Sequence, residues 1–546
     1  MGGGVAGLSA AHELVERGYE VVVLEMRDIA GGKARSFGMP GSGTLGRPDL
    51  PAEHGFRFFP GFYRHLPDTM RRIPYGSGNV EDNLVPASSL MLAQTGGAEN
   101  FLSVKFPSTL LRSREQIEAL FGATGGLSDD DIQFFVNRLW VLATSCDARR
   151  FDEFEKRSWW DFIGAGTRGA AYQRLLGRGL TQTLVAMQAE RGSTRTVGII
   201  LLQLLLDLVE PGRNLDDWFR GRFGADRLLN GPTNDVWLDP WVAHLKNKGA
   251  EFRFGSAVTQ IHLAGGAVTK VTVDDGSTYD LGGDHFMLCL PAERAAPLLH
   301  AGIIAADPTL AGVETLAAHH TEWMNGFIYY LHEDLNLVHG HTIYLDSAWA
   351  LTSLEQAQFW SRPMSGFGDG TIRSVLSVDV SDWNTPGSAA ITGSKPARAC
   401  TGAELVDEVW FQLSEHLNDG PSPVLPQTFA AAYVDPAIVW DPALGANANA
   451  EPLLVNERDT WRYRPRATTA IGNLTLAADY VRTHTDLATM EGANEAARRA
   501  VNAILRADGK LGRCCVWPLQ EPLSLRPFKA KDAVRYALGL KHAADP

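Results

Sequence analysis

Three glycines at the amino end, Gly2, Gly4 and Gly7 in GGGVAG, have the G-x-G-x-x-G spacing that lets a backbone turn approach a pyrophosphate. LSAAHELVERGYE follows, with helical spacing and small residues near its start, and then the β-branched run VVVLE. A helix starting on the glycines points unpaired backbone N–H groups at phosphates. Glu25 closes the run 18 positions after Gly7, where a carboxylate can accept hydrogen bonds from ribose hydroxyls. Turn, helix, strand and terminal acid in register predict a dinucleotide site. Only Met1 precedes the glycines, whereas such a motif normally follows a buried strand of roughly five or six residues. The expectation is a truncated or mis-assigned start, with Met1 where a strand valine belongs and a sheet short of a central strand.

A second glycine pair follows the acid: MRDIAGGKARS places Gly31 and Gly32 before Lys33, Arg35 and Ser36. Here the sequence resembles the flavin amine oxidase and carotenoid (phytoene) desaturase superfamily, which carries G-G-[RK]-x-x-[ST] after its ribose-binding acid. In that family the segment lies along the pyrophosphate of FAD. The resemblance therefore implies FAD as cofactor, with Lys33 and Arg35 as the neutralising cations. Residues 51–74, PAEHGFRFFPGFYRHLPDTMRRIP, are similar to the E-x-G-x-H-x-F-F-G-x-Y segment of plant-type carotene desaturases through Glu53, Gly55, Phe59, Gly61 and Tyr63. Arg57 stands where those enzymes have histidine, and Pro60 replaces an aromatic residue. The block looks equally like that of bacterial hydroxysqualene dehydroxylase-like proteins. In the superfamily it passes the flavin ring on the substrate side. That makes Glu53, Gly55 and Phe56 expected cofactor contacts, and His54 and Arg57 the expected catalytic residues.

The far end completes the resemblance. NLTLAADYVRTHTDLATMEGANEAARRA, residues 473–500, is similar to the superfamily's N-L-x-L-A-G-D and A-S-M-E-G-A signatures, with Ala478 for the glycine and Thr489 for the serine. It parses as a strand, an acidic turn at Asp479 and a helix starting near Met490. By resemblance, Asp479 bonds the ribityl or pyrophosphate part of FAD. The helix start at Met490, Glu491, Gly492 and Ala493 would then turn its N–H groups to the pyrimidine edge of the flavin. Between the two ends, residues 252–291 alternate about glycine turns, a β-meander and return strand. The backbone of Val258 is the implied adenine contact.

Motifs at both ends and in the middle require a discontinuous cofactor domain. The expected class is α/β: a Rossmann-like FAD-binding domain from 1–60, 230–300 and 455–505, an inserted mixed α+β substrate domain from 61–229 and 301–454, and a tail from 506–546. Expected helices are DDIQFFVNRLWVLATS, TVGIILLQLLLDLVE, AELVDEVWFQLSEHL and KDAVRYALGL, and GFIYYL is an expected strand. Phe56, Phe58, Phe59, Phe62, Tyr63, Trp140, Trp159, Trp160 and Trp218 suit core packing or the wall of an apolar cavity.

Composition narrows the rest. A net charge of −13 without a basic stripe argues against nucleic acid as a partner. The five cysteines are scattered, with no Cys-x-x-Cys, which argues against a disulfide framework and against a metal site. No signal peptide precedes the first motif, so the expected location is cytoplasmic. The apolar run at residues 197–209 is too short to span a bilayer, which needs about 20 residues. A buried helix is its first reading, and a greasy cavity wall or a peripheral membrane contact the second. The resemblance implies an FAD-dependent oxidoreductase moving hydride between an apolar isoprenoid and flavin N5. Amine oxidation is the alternative, with Trp461 and Tyr463 as an aromatic wall. A flavin-free prenyl carrier of the same fold is the non-enzymatic one.

Overall fold

The computed structural model describes residues 1–55, 57–96, 100–103, 126–209, 226–420 and 423–545. The first helix, Val5–Val15, starts directly on Gly4, whose backbone is extended and which has no side chain to cap the free N–H groups. Strand Val22–Leu24 then pairs in parallel with Glu251–Arg253, and Phe286–Leu288 pairs in parallel with Leu474–Leu476. Residues 1 and 2 join the two pairs. The Met1 amino group donates to Met287 O (2.9 Å), its carbonyl accepts from Cys289 N (2.8 Å), and Gly2 N donates to Leu24 O (2.8 Å).

Packing brings the chain's ends together. The long helix Met490–Ala507 lies against Val5–Val15, and its Ala496, Ala497 and Ala500 are fully buried there, small enough for close helix approach. Asn494 Nδ2 ties this contact to a third helix, donating to Ser9 Oγ (2.8 Å) and to Thr69 Oγ1 (2.9 Å) of His65–Arg71. The expected meander forms as an antiparallel sheet of Ala257–Ala264, Ala267–Asp274 and Thr278–Gly282.

A seven-stranded sheet dominates the rest, in the order Ala431–Val434, Asn325–Leu331, Ser374–Val380, Leu351–Glu355, His341–Tyr344, Ser89–Ala93 and Asn100–Ser103. Its neighbours are antiparallel except His341–Tyr344 beside Ser89–Ala93. Strand periodicity assigns the two faces. Phe327, Tyr329, Leu331, Leu376, Val378 and Val380 pack beneath the helix Gly402–Leu417 in one buried cluster. Gly326, Ile328, Tyr330, Val375, Ser377 and Asp379 therefore face the other way. Both faces are covered, which is why GFIYYL reads as almost unbroken apolar sequence.

The expected helices form as Asp129–Thr144, Thr194–Val209, Gly402–Leu417 and, in the tail, Arg526–Ala537. In the apolar helix, Val197, Ile200, Leu201 and Leu206 are buried, and no helix among the described residues is long and apolar enough to cross a membrane. Phe59, Phe62, Tyr63 and Trp159 are core residues, Trp140 is exposed, and Trp218 lies outside the described residues.

One tight constraint is at the first turn. A Cβ on Gly7 would sit 1.9 Å from Gly2 O, and Gly2 itself has φ +103°. Gly7→Ala is expected to lower stability by about 2 kcal/mol or more through backbone displacement. Thermal unfolding of the purified variant reads this, and an unchanged midpoint would contradict it.

Candidate functional site

Two glycine loops meet at the head of the first helix. Gly31 N donates to Gly3 O (2.9 Å), and Gly4 bridges to Gly31 with Gly32 against it. Glu25 is buried beneath, Oε2 accepting from Gly3 N (2.8 Å) and Oε1 from Arg27 N (3.0 Å). These bonds fix the carboxylate and leave it lone pairs for a ligand. Ser256 N donates to Glu25 O (2.8 Å), which brings half-buried Val258 close behind.

The far-end motif supplies the acidic turn. Asp479 Oδ1 is buried and has no hydrogen-bond partner among the described residues. Arg464 pins this turn, donating to the carbonyls of Asp479, Tyr480 and Val481 while pairing with Asp486. At the following helix, Thr489 Oγ1 accepts from Gly492 N (3.0 Å) and Thr489 O from Ala493 N (3.0 Å), so the first N–H groups, at Met490 and Glu491, lie at the open helix end.

The Glu491 side chain is used elsewhere. Its carboxylate caps His65–Arg71, accepting from the backbone N–H of Arg64 (2.8 Å), His65 (2.7 Å) and Leu66 (2.8 Å), with His65 Nδ1 2.7 Å away. Burial opposes its charge, yet His65 and these N–H groups hold the carboxyl below its usual range. Lys33 and Arg35 are likewise engaged with protein acids. Lys33 pairs with Glu293 (2.8 Å) and reaches Pro452 O; Arg35 grips Glu451 bidentately at 2.8 and 3.0 Å.

The 53–57 block lies in a buried charge cluster beside the large sheet. His54 Nδ1 is 2.7 Å from Asp435 Oδ2 and 3.8 Å from Glu451 Oε2. Burial works against the charge of Glu451, but Arg35, His54 and Arg27 hold its carboxyl down at about 2. Glu53 Oε1 accepts from Thr233 N and Oγ1, and its Oε2 is 3.8 Å from Arg57 Nε. Arg57 donates to Gly55 O, and Phe56 lies outside the described residues. Gly326 N donates to His54 O (2.9 Å), docking the block on the sheet. A Cβ on Gly55 would be 3.0 Å from Asp379 Oδ1. Glu53 and Arg57 also line a small opening whose walls include Leu228, Leu229, Leu354, Phe359 and Trp360.

Asp379 is the acid that sequence reasoning passed over, although a lone carboxyl inside SVLSVDV was a signal. Burial pushes it up to about 7, partly offset by Arg57 and His341 and reinforced by Asp435 and Glu53. Burial also raises Glu53 and lowers Arg57, the latter countered by Glu53 and Asp379. Asp435, Glu451, Glu293 and Arg464, and the pair His341–Asp226 at 2.6 Å, have no motif that would have marked them.

Residues 5–505 match the profile of the family described as flavin containing amine oxidoreductase. The chain is 22% identical over 296 residues to the 15-cis-phytoene desaturase, chloroplastic/chromoplastic, of Capsicum annuum. That match covers 54% of this chain and 46% of the relative, so it spans about half the length of the curated relative. Cyclohexylamine oxidase from Brevibacterium oxydans IH-35A superposes with TM-score 0.59 at 13% identity, over 93% of this chain and 98% of that one. Putrescine oxidase bound to putrescine gives 0.59 at 13%, over 92% and 98%. An oxidoreductase from Methanosarcina mazei gives 0.57 at 14%, over 92% and 98%. At such identities the likeness is one of fold. The uncapped helix on its glycine cradle and the unpartnered Asp479 oxygen fit a flavin dinucleotide.

Asp379 has a sign-definite consequence. With its pKa raised from 3.8 to about 7, the folded chain keeps a proton that the unfolded chain releases, so stability falls as pH rises from about 4 to about 7 and levels off above. Asp379→Asn removes that loss. It should be more stable than the parent at pH 8, by on the order of a few kcal/mol, and melt correspondingly higher, with the gain fading toward pH 4. Melting curves at both pH values check this, and a pH-independent difference rejects it.

Proposed function

The chain belongs to the flavin-containing amine oxidoreductase family, and from that premise we propose that this FAD-dependent oxidoreductase moves hydride between an apolar isoprenoid and its cofactor, in the manner of a carotene desaturase or a hydroxysqualene dehydroxylase. The observation that carries the reading is the 53–57 block, desaturase-like in sequence, set beside an opening walled by Leu228, Leu229, Leu354, Phe359 and Trp360. FAD, when bound, supplies the two-electron acceptor or donor for that hydride.

In this reading the chain's residues divide by task, and the cofactor is held by segments 1–60, 230–300 and 455–505. Gly2, Gly4, Gly7, Gly31 and Gly32 admit the pyrophosphate, Glu25 takes the ribose, and the Val258 backbone meets adenine. Asp479 and the helix start at Met490 to Ala493 hold the flavin end. Glu53 and Gly55 border the ring. Lys33 and Arg35 act through their acid pairs, stiffening the loop beside the phosphates. Arg57 and His54 orient substrate, while segments 61–229 and 301–454 enclose it and exclude water. The location proposed is cytoplasmic, with the apolar substrate reached at a membrane surface.

Amine oxidation is less well supported by the side chains. Arg195 lies over Trp461 at 4.5 Å and His320 stacks on Tyr463 at 5.9 Å, so neither ring is an open wall for an ammonium group.

The purified protein should show a flavin spectrum that bleaches anaerobically with carotenoid precursors or squalene-type alcohols. Bleaching by amines alone would end the isoprenoid reading. Asp479→Ala should lose flavin by at least about tenfold in affinity, since a buried acceptor's hydrogen bond is removed, while the apoprotein's melting point stays within about 2 °C. Retention of flavin at parental affinity would take Asp479 out of the site.

A further inference from the structure

The inner face of the large sheet carries three polar side chains that the hydride chemistry leaves without a role. Asp379 and Thr352 stand directly opposite each other across adjacent strands, and Ser377 lies two residues from Asp379 on the same face. All three are buried. Asp379 Oδ1, Thr352 Oγ1 and Ser377 Oγ have no hydrogen-bond partner among the described residues. Native interiors rarely leave such groups unmet, so three together on one face indicate an absent partner. Ile328, Val375 and Leu354 are the apolar neighbours on this face, and the charges of Arg57, His341, Asp435 and Glu53 act on Asp379 from around it.

Location agrees. Gly326, opposite Asp379 on its other flank, contributes no side chain, and the backbone of residues 53–55 packs into that place. Gly55, in the block that borders the ring, crosses close to Asp379 Oδ1. Leu354, the next residue on this face along the strand from Thr352, lines the opening with Glu53 and Arg57. A pure hydrocarbon placed here would bury the three groups unpaired. A hydroxyl both donates and accepts, and so meets a carboxylic acid and a threonine hydroxyl together.

We propose that Asp379 and Thr352 form a hydrogen-bonding subsite for a hydroxyl group of the substrate, so that the isoprenoid acted on is an alcohol and not a hydrocarbon. The proposal rests on the isoprenoid reading above. In its protonated form the Asp379 carboxyl donates a hydrogen bond to the substrate oxygen; the Thr352 hydroxyl accepts one from the substrate hydroxyl, and Ser377 completes the polar strip. The apolar walls take the chain on either side.

Binding, not turnover, tests this. The FAD-loaded enzyme in detergent is titrated with two matched pairs: squalene against a squalene alcohol with one secondary hydroxyl, and geranylgeraniol against its hydroxyl-free hydrocarbon. Tryptophan quenching is followed. In at least one pair the alcohol should bind at least about tenfold tighter, because a site built for a hydroxyl rejects the analogue lacking it. Asp379→Leu should erase that gap while moving hydrocarbon affinity by no more than about twofold, and Asp379→Asn, which keeps volume and hydrogen bonding, should retain most of it. Equal affinities in both pairs for the parent enzyme, or a gap that survives Asp379→Leu, overturn the subsite and leave the isoprenoid reading intact. If none of these lipids binds while cyclohexylamine does, the isoprenoid reading falls and the subsite with it.

Discussion

Buried ion pairs between residues far apart in sequence are what the rest of this molecule depends on. Glu451 gathers Arg27, Arg35 and His54 from the first tenth of the chain. Asp486 gathers Arg464 and Arg195, and Arg195 passes on to Glu155. Glu491 holds the backbone of residues 64–66. Each such carboxylate is expensive to bury alone, and removing one partner of a buried pair typically costs about 3–5 kcal/mol. A fold assembled from interleaved segments thus has its register fixed by charges that tolerate no other neighbour. The same logic explains why the two cations next to the second glycine pair face acids. Without those acids they would be free charges in a loop that must stay rigid.

Much of the architecture was legible because it is local. The glycine spacing, the amphipathic runs and the alternating meander each carry their own signal within about 20 residues. The glycine turn on the first helix was legible for the same reason, since turn, helix and terminal acid lie within 25 residues of one another. What escaped was long-range. Nothing near Arg464 announces that it will hold the carbonyls of residues 479–481, and nothing near Asp435 announces His54. Within WRYRPR, Arg464 is almost wholly buried and paired, which its polar neighbourhood does not signal. Glu491 was read as part of a cofactor signature, but its side chain faces a different helix while its backbone remains at the helix start.

The large sheet shows how one strand can carry two kinds of information. In SVLSVDV, Leu376, Val378 and Val380 turn to the Gly402–Leu417 helix together with Ser374, whose hydroxyl accepts from Leu335 N, while the alternate positions end in a serine and an acid. Apolar patterning of the whole segment specifies a strand buried on both faces, and its unpartnered exceptions, Ser377 and Asp379, fall on one side. Exceptions with a consistent direction differ from scattered ones, which a core would usually pair with water or backbone. Asp379 also stands apart energetically from Glu451 and Glu491. All three are buried carboxyls, but cations and N–H groups outweigh burial at the latter two and do not at Asp379.

Arg464 has one more implication. Because it anchors three successive carbonyls from beneath, the acidic turn at residues 479–481 acquires its shape when the chain folds, before any ligand arrives. The conformational freedom of that turn is then already surrendered at the moment of encounter, and association has only the incoming molecule's own motion left to quench. In the proposed cofactor site such a turn is a mould and not a clamp, its contour set by Arg464 and not by the group it receives.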